Sequence, residues 1–454
     1  MVQCHCIAST EGKTIERELE KTRAAGIYEI SPGIRLTCVQ TDKFKTGCVS
    51  ITLVTELSRD TAANNAIILR VLRRGCAKYQ SMELISEALD NLYGTRIEPT
   101  VRKKGEMHCI GFYADFPDDR FVPDGNILEK AASLLADILL DPYLCDGSFR
   151  KEYVEGEKNN LIDDIRAIIN DKRGYSISRL LEEMCADEAF GVNRLGCEDE
   201  AREITPEALT AHYRKLLASS TIEVFYCGSA DFKRVESALR PVFDGLPEHR
   251  SPSMPKTAVK THPPAASPKY FTETLDIVQS KLAVGFRLGQ AMSGRPDYAA
   301  LMVFNAVYGS GDSSKLFLNV RERLSLCYSI GSMLDKHKGV MVVASGVEFQ
   351  KLEVALEEIQ AQLGHIKNGE IELQELNSAK HFVTTSLKLA TDSPGGLEEL
   401  YFDSAVSLAP YDPVKLSEDI EAVDLADIIK AASDIKTDSV YFLTSIKGGN
   451  ADDL

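Results

Sequence analysis

The chain has 454 residues, 44% of them hydrophobic and 26% charged, with a formal net charge of -16. That length exceeds what one core sustains and calls for two or more domains. The acid excess opposes phosphate binding, which excludes nucleic acid as a partner, and no apolar run reaches membrane-spanning length.

Met1 to Lys21 has no apolar core and carries Glu11, Glu16, Glu18 and Glu20, unlike a signal peptide, so a cytoplasmic protein is expected. The 11 Cys are scattered. Cys38, Cys48, Cys109 and Cys227 fall inside apolar strands and read as reduced thiols packed as small apolar groups. Cys4 and Cys6 are the closest pair, with nothing nearby to complete a metal cluster.

Ile34 to Val39 and Cys48 to Leu57 are rich in Ile, Val and Thr and predict paired strands around a Thr41-Asp42-Lys43 turn. Helices are expected over Ala62 to Arg74 and Met82 to Leu92. Strands follow at Ile97 to Arg102 and Met107 to Phe116, about a Lys103-Lys104-Gly105 turn. Ile127 to Leu140 is a helix with one apolar face, and Asp141-Pro142 stops it. Phe149 to Asn170 is a long charged helix, and Ser176 to Met184 continues the helical part. Thr205-Pro206 starts another helix, with Thr205 as cap. Thr221 to Cys227 is a strand and Phe232 to Pro241 a short helix.

Gly245 to Lys269 then holds six prolines and no apolar periodicity, which reads as a linker. Beyond it the same order returns. Strands lie within Tyr270 to Leu288, and Pro296 to Val307 is a helix. After the Gly309-Ser310-Gly311 turn, Ser313 or Ser314 caps a helix burying Leu316, Phe317 and Val320. Leu326 to Met333 alternates as a strand, with Tyr328 just inside it. A Lys336-His337-Lys338-Gly339 turn leads into the strand Val340 to Val347. Leu352 to Leu363 and Ile371 to Leu389 are helices. Val423-Asp424 starts another with an acidic cap, and Val440 to Ile446 is a strand. Matched elements lie roughly 220 to 235 residues apart, far beyond solenoid periods. The reading is α+β: two homologous halves, each a mostly antiparallel sheet packed against helices. The expected boundaries are 1–245, a Pro-rich linker at 246–269, and 270–454.

Catalytic motifs are few. The 309–311 turn matches neither nucleotide template, because it lacks a terminal Gly-Lys-Ser/Thr and a correctly placed third Gly. No two of the eight His lie within one helical turn, so no H-x-x-E-H zinc helix exists. His108, in an apolar strand, reads as a hydrogen-bonded structural residue. No G-x-S-x-G occurs. Arg321 and Tyr328 remain. As donors they could hold a peptide carbonyl or carboxylate, or stabilise an oxyanion. The plainer alternative is an Arg solvated at a helix C-terminus and a packed strand Tyr.

The two α+β halves, the Pro-rich hinge and the run from Gly309 to Ser329 resemble the pitrilysin/insulinase-type zinc peptidases, the family of the mitochondrial processing peptidase and its bacterial two-subunit relatives. That family's second half has a Gly-rich loop, Ser-Arg/Lys-Leu-Phe, an Arg and, seven residues on, a Tyr. Here these are Ser314-Lys315-Leu316-Phe317, Arg321 and Tyr328. Arg74-Gly75-Cys76-Ala77-Lys78-Tyr79, Leu92-Tyr93-Gly94 and Lys103-Lys104-Gly105 look closest to a Gram-positive bacterial branch.

The resemblance implies a clam-like pair of halves and, for Arg321 and Tyr328, contact with a substrate peptide. It also implies H-x-x-E-H before Gly75. Ala66, Leu69 and Arg70 stand at the His, Glu and His positions, and the third ligand falls near Asp164. The implied protein is a non-catalytic subunit with no zinc of its own. A homologous subunit would carry the zinc, and the pair would cleave peptides. The rivals are a scaffold of the same fold without a part in proteolysis, and a homodimer that binds peptides.

Overall fold

The computed structural model describes residues 19–445 other than 24–25, 124, 290–296 and 408–409. Cys4, Cys6, Pro296 and Ile446 lie outside the described residues. Strands form where β-branched and aromatic residues fill a pleated surface. In the first half they are β1 (Gly26–Ser31), β2 (Ile34–Gln40), β3 (Thr46–Glu56), β4 (Arg96–Lys104), β5 (Met107–Pro117) and β6 (Thr221–Gly228). Their order in the sheet is β1-β2-β6-β3-β5-β4. β2 and β6 run parallel, from Ile34↔Ile222 to Gln40↔Gly228. The other pairs are antiparallel.

The second half supplies β7 (Lys269–Leu275), β8 (Ser280–Arg287), β9 (Cys327–Asp335), β10 (Val340–Val347) and β11 (Lys436–Ser445). Their order is β9-β10-β8-β11-β7. The one parallel pair is β11 with β7, and the rest are antiparallel. Laying β4, β5, β3, β6 and β2 against β9, β10, β8, β11 and β7 reproduces the order and the parallel pair. The repeat expected from the sequence is therefore a repeat of topology, and the α+β class holds.

The helices are α1 (Arg59–Arg73), α2 (Met82–Asp90), α3 (Ile127–Leu140), α4 (Lys151–Ala167), α5 (Lys172–Met184), α6 (Glu198–Arg202), α7 (Pro206–Ser219) and α8 (Phe232–Leu239). After the linker come α9 (Tyr298–Tyr308), α10 (Leu352–Lys367), α11 (Leu373–Ala390), α12 (Pro394–Ala405), α13 (Pro413–Ala422) and α14 (Leu425–Ser433). Thr205 caps α7 by accepting from Ala208 N at 3.2 Å. Asp424 caps α14 by accepting from Asp427 N at 2.9 Å. No helix among the described residues is long and apolar enough to cross a membrane.

Two compact units result, and neither is one run of chain. The first is Met1–Arg166, Val192–Lys256 and Lys388–Ser407; the second is Ala167–Gly191, Thr257–Leu387 and Leu408–Leu454. Both differ from the expected 1–245 and 270–454 by an exchanged segment, and the linker divides after Lys256. In the first unit α12 lays Leu397 against Val39, Cys48, Phe225 and Cys227, and Phe402 against Val54, Met107 and Cys109. In the second, α5 brings Leu180 onto Ile277, Ala283, Val342 and Tyr441. Gly285 permits that approach, since a Cβ there would come within 2.5 Å of Met184 Sδ. Cys38, Cys48, Cys109 and Cys227 are free and fully buried, and burial pushes the Cys38 and Cys227 thiols up to about 12.

Candidate functional site

In the second unit α9 ends at Gly309, whose N–H bonds Asn305 O at 2.9 Å. Its carbonyl accepts from Ser332 N on β9 at 3.0 Å. A Cβ at Gly309 would meet Leu316 Cδ1 and Ser332 Oγ at 2.7 Å, so only glycine lets helix end and strand approach this closely. Ser332 Oγ donates to Asn305 Oδ1 at 2.7 Å, which ties the same helix end to the strand.

Leu316–Arg323 is helical as expected, but it winds as a π-helix, with Leu324 N bonded to Asn319 O at 3.1 Å. Leu316 and Val320 are fully buried, while Phe317 is half-buried. Ser314 is the cap residue of the expected pair, its Oγ accepting from Phe317 N at 3.4 Å. The Phe317 ring carries the Arg321 guanidinium, 4.5 Å from its centroid. Arg321 Nε also lies 3.5 Å from Glu322 Oε1, and the side chain is 39% exposed. π-turns inside helices recur at functional sites.

Tyr328 follows on β9, which ends the second sheet. Cys327 pairs with Val347 and Ser329 with Gly346, so Tyr328 is an extra residue with no partner on β10. Such a bulge re-aims its side chain and is common at sheet edges beside active sites. Ser325, just before it, has a left-handed φ of 50°. Tyr328 is 79% exposed, which removes the plainer reading of a packed strand tyrosine. Burial pushes the Cys327 thiol up, while a hydrogen bond with Ser345 and the Arg321 charge pull it the other way.

In the first unit α1 is the helix on which a zinc motif would stand. Ala66 and Leu69 are fully buried and offer no donor atom. Arg70 has no lone pair to give a metal; its Nη2 lies 2.6 Å from Asp164 Oδ2 on α4. Just past the end of α1, Arg74 Nε binds Glu157 Oε1 at 2.5 Å. Zinc needs three or four nitrogen, sulfur or oxygen ligands. These residues do not fit it, because two are apolar and the third is a guanidinium that engages the Asp164 carboxylate. Among the described residues no group of three His, Cys, Asp or Glu is placed to hold a metal ion.

Asn65, beside Ala66, was not anticipated as a site residue. It is fully buried; its Nδ2 lies 3.0 Å from His108 Nδ1 and its Oδ1 lies 2.6 Å from His212 Nε2. Asn65 therefore donates to His108 and accepts from His212. Burial holds His108 at about 3 and His212 at about 4, so both are neutral. The expected structural role of His108 is what the geometry gives. A buried Asn inside an apolar helical run was the one available signal for this chain of bonds.

Residues 203–383 match a family described as "Peptidase M16 inactive domain". A Bacillus subtilis protein named "Probable inactive metalloprotease YmfF" is 32% identical over 419 residues, covering 92% of this chain and 97% of that one. A conserved protein from Enterococcus faecalis V583 superposes with a TM-score of 0.84 at 25% identity, over 94% of this chain and 100% of the other. A peptidase M16 inactive domain from Pseudomonas fluorescens shares the fold, with a TM-score of 0.74 at 14% identity over 94% and 98% of the two chains.

Proposed function

Because this chain belongs to the M16 peptidase family as an inactive member, we propose that it is the substrate-binding subunit of a two-subunit zinc peptidase. Its partner is a homologous chain that carries the zinc, and hydrolysis takes place there. This chain's own contribution is positioning. A peptide lies extended as an added strand along a sheet edge. Arg321 and Tyr328 donate hydrogen bonds to its backbone carbonyl near the scissile bond.

The observation that carries this reading is Tyr328. A large aromatic at the unpaired residue of an edge-strand bulge, 79% exposed, loses burial and gains no packing. Arg321 lies on the adjoining π-helix with its guanidinium half-open to solvent.

The test is reconstitution with a zinc-bearing homologue from the same genome. The pair is expected to cleave peptides that neither chain cleaves alone. Arg321→Ala and Tyr328→Phe should each slow that cleavage. Stoichiometric zinc and cleavage by this chain alone would overturn the proposal. Cleavage by the pair at an unchanged rate in both variants would make the chain a scaffold.

A further inference from the structure

Strand β4 ends the first sheet, with β5 as its single neighbour among the described strands. The pairing runs from Arg96↔Asp115 to Lys104↔Met107. Along an antiparallel strand, successive residues turn their N–H and C=O alternately toward the partner and toward the open edge. Pro99 has no N–H to give and sits with the outward set, which is where a strand tolerates proline. Ile97, Val101 and Lys103 share that parity.

This chain already occupies two of those outward carbonyls. Arg73 Nε, at the end of α1, donates to Ile97 O at 3.0 Å. Arg194 Nη1 donates to Val101 O at 3.1 Å. Arg194 rides on the segment between Val192 and Gly196, and that segment is fixed to the same edge. Lys103 Nζ reaches Val192 O at 3.4 Å. Asn193 Oδ1 accepts from Leu195 N at 3.0 Å. Gly196 has a φ of +73°, and a Cβ there would come within 2.7 Å of Ala63 N on α1. The strap is thus drawn tight between α1 and β4.

We propose that the β4 edge is sealed by Arg73, Pro99 and Arg194 against the addition of a peptide strand. An incoming strand meets no donor at Pro99, and it must displace a guanidinium at each of the carbonyls on either side. Proline, charge and a covering segment are the devices by which sheet edges are closed to pairing. This inference depends on β4 alone and stands apart from the reading of Arg321 and Tyr328.

The experiment uses the full chain and a fluorescein-labelled decapeptide of alternating Thr and Val. Amide hydrogen exchange is followed at Ile97, Val101 and Lys103 with and without the peptide. In the wild type, exchange is expected to be unchanged by peptide. In Pro99→Thr/Arg194→Ala it should slow roughly tenfold at these amides, since one donor is restored and one charge-assisted plug removed. Arg194→Ala alone should give a smaller slowing at Val101. Peptide-dependent slowing in the wild type would overturn the proposal. So would unchanged exchange in an opened variant that unfolds at the wild-type temperature. Arg321→Ala and Tyr328→Phe should alter neither arm, so failure here leaves the reading of that pair untouched.

Discussion

Arg70 Nη2 stands 2.6 Å from Asp164 Oδ2, joining α1 to α4 at the two positions where the resemblance expects zinc ligands. The pair is partly solvated, with 27% and 51% of the side chains exposed, so it contributes only about 0–1 kcal/mol to stability. Its meaning is chemical. Asp164 faces residue 70, so the two positions that the resemblance marks for zinc ligands lie within reach of each other. Ala66→His/Leu69→Glu/Arg70→His with Asp164→Glu is expected to bind about one zinc per chain after dialysis, read by atomic absorption. The wild type should retain none. Because Ala66 and Leu69 are fully buried, the zinc-free variant should lose about 1–3 kcal/mol from overpacking at residue 66, and more from the carboxyl buried at residue 69, and recover stability on adding zinc. A control that keeps Arg70 and changes only Ala66 and Leu69 should stay metal-free, because the guanidinium still holds Asp164.

Arg321 and Tyr328 should separate activity from stability. Both side chains are open to solvent, so Arg321→Ala and Tyr328→Phe are expected to change unfolding free energy by less than about 0.5 kcal/mol. A donor aimed at charge that develops in the transition state is worth roughly a hundredfold in rate or more. The expected outcome is an unchanged thermal midpoint with kcat/KM of the reconstituted pair reduced about a hundredfold by either variant. Tyr328→Phe keeps the ring and removes only the hydroxyl, so it distinguishes hydrogen bonding from simple contact with the peptide.

Much of the fold could be read from periodicity. Ile127–Leu140 and Val340–Val347 have the bounds their apolar patterns predict. The order of elements was enough to show a duplication. Long-range pairing was not legible. Glu398 looks like one more solvated helix residue; nothing near it names Arg102, 296 positions upstream, as its partner. The exchange of α5 and α12 between units was hidden for that reason. The bulge at Tyr328 depends on how β9 registers with β10, so the sequence placed the residue on a strand but could not show it displaced from the ladder. The Arg70–Asp164 pair was half visible, since resemblance marked both positions without showing that their charges meet.

The exchanged segments are each fixed by buried charge. In the first unit Arg102 grips Glu398 of α12 with two nitrogens, at 2.8 and 2.9 Å, and Ser50 Oγ donates to the same carboxylate at 2.8 Å. In the second, Glu188, just beyond α5, takes Arg287 and Lys338, each at 2.6 Å. Burial raises the Glu188 carboxyl, but these two cations outweigh it and hold the carboxyl below the ordinary range. Both carboxylate side chains are buried, 6% and 3% exposed, and losing one removes a charged partner from a guanidinium that keeps only its second carboxylate, Glu399 for Arg102 and Asp438 for Arg287, each at 2.9 Å. Glu398→Gln and Glu188→Gln are each expected to cost about 1–3 kcal/mol in urea unfolding. Replacing Arg102 and Glu398 together by Met and Leu should recover most of that loss, because no lone charge then remains.

The bonded chain from His108 through Asn65 to His212 makes the first unit sensitive to mild acid. Burial holds the two imidazoles at about 3 and about 4, well below the ordinary histidine value near 6.5. Below pH about 6.5 the unfolded chain takes up protons that the folded unit refuses. Their contribution is therefore complete above that pH and is lost as pH falls toward 4 and then 3. His108, with no exposed surface, accounts for about 1.4 kcal/mol per pH unit across that window. Glu223 acts in the opposite sense. Burial pushes it up to about 7 against the pull of Arg35, so the total slope mixes the two. The difference between wild type and His108→Asn isolates the histidine. That variant loses packing and part of the Asn65 bond, so it is less stable at pH 7.5. Its deficit is expected to shrink by about 1.4 kcal/mol per pH unit from pH 6.5 to 5, measured by urea unfolding at each pH. A deficit that stays constant over that range would mean that His108 is protonated in the folded protein and that its bond to Asn65 is not the one described.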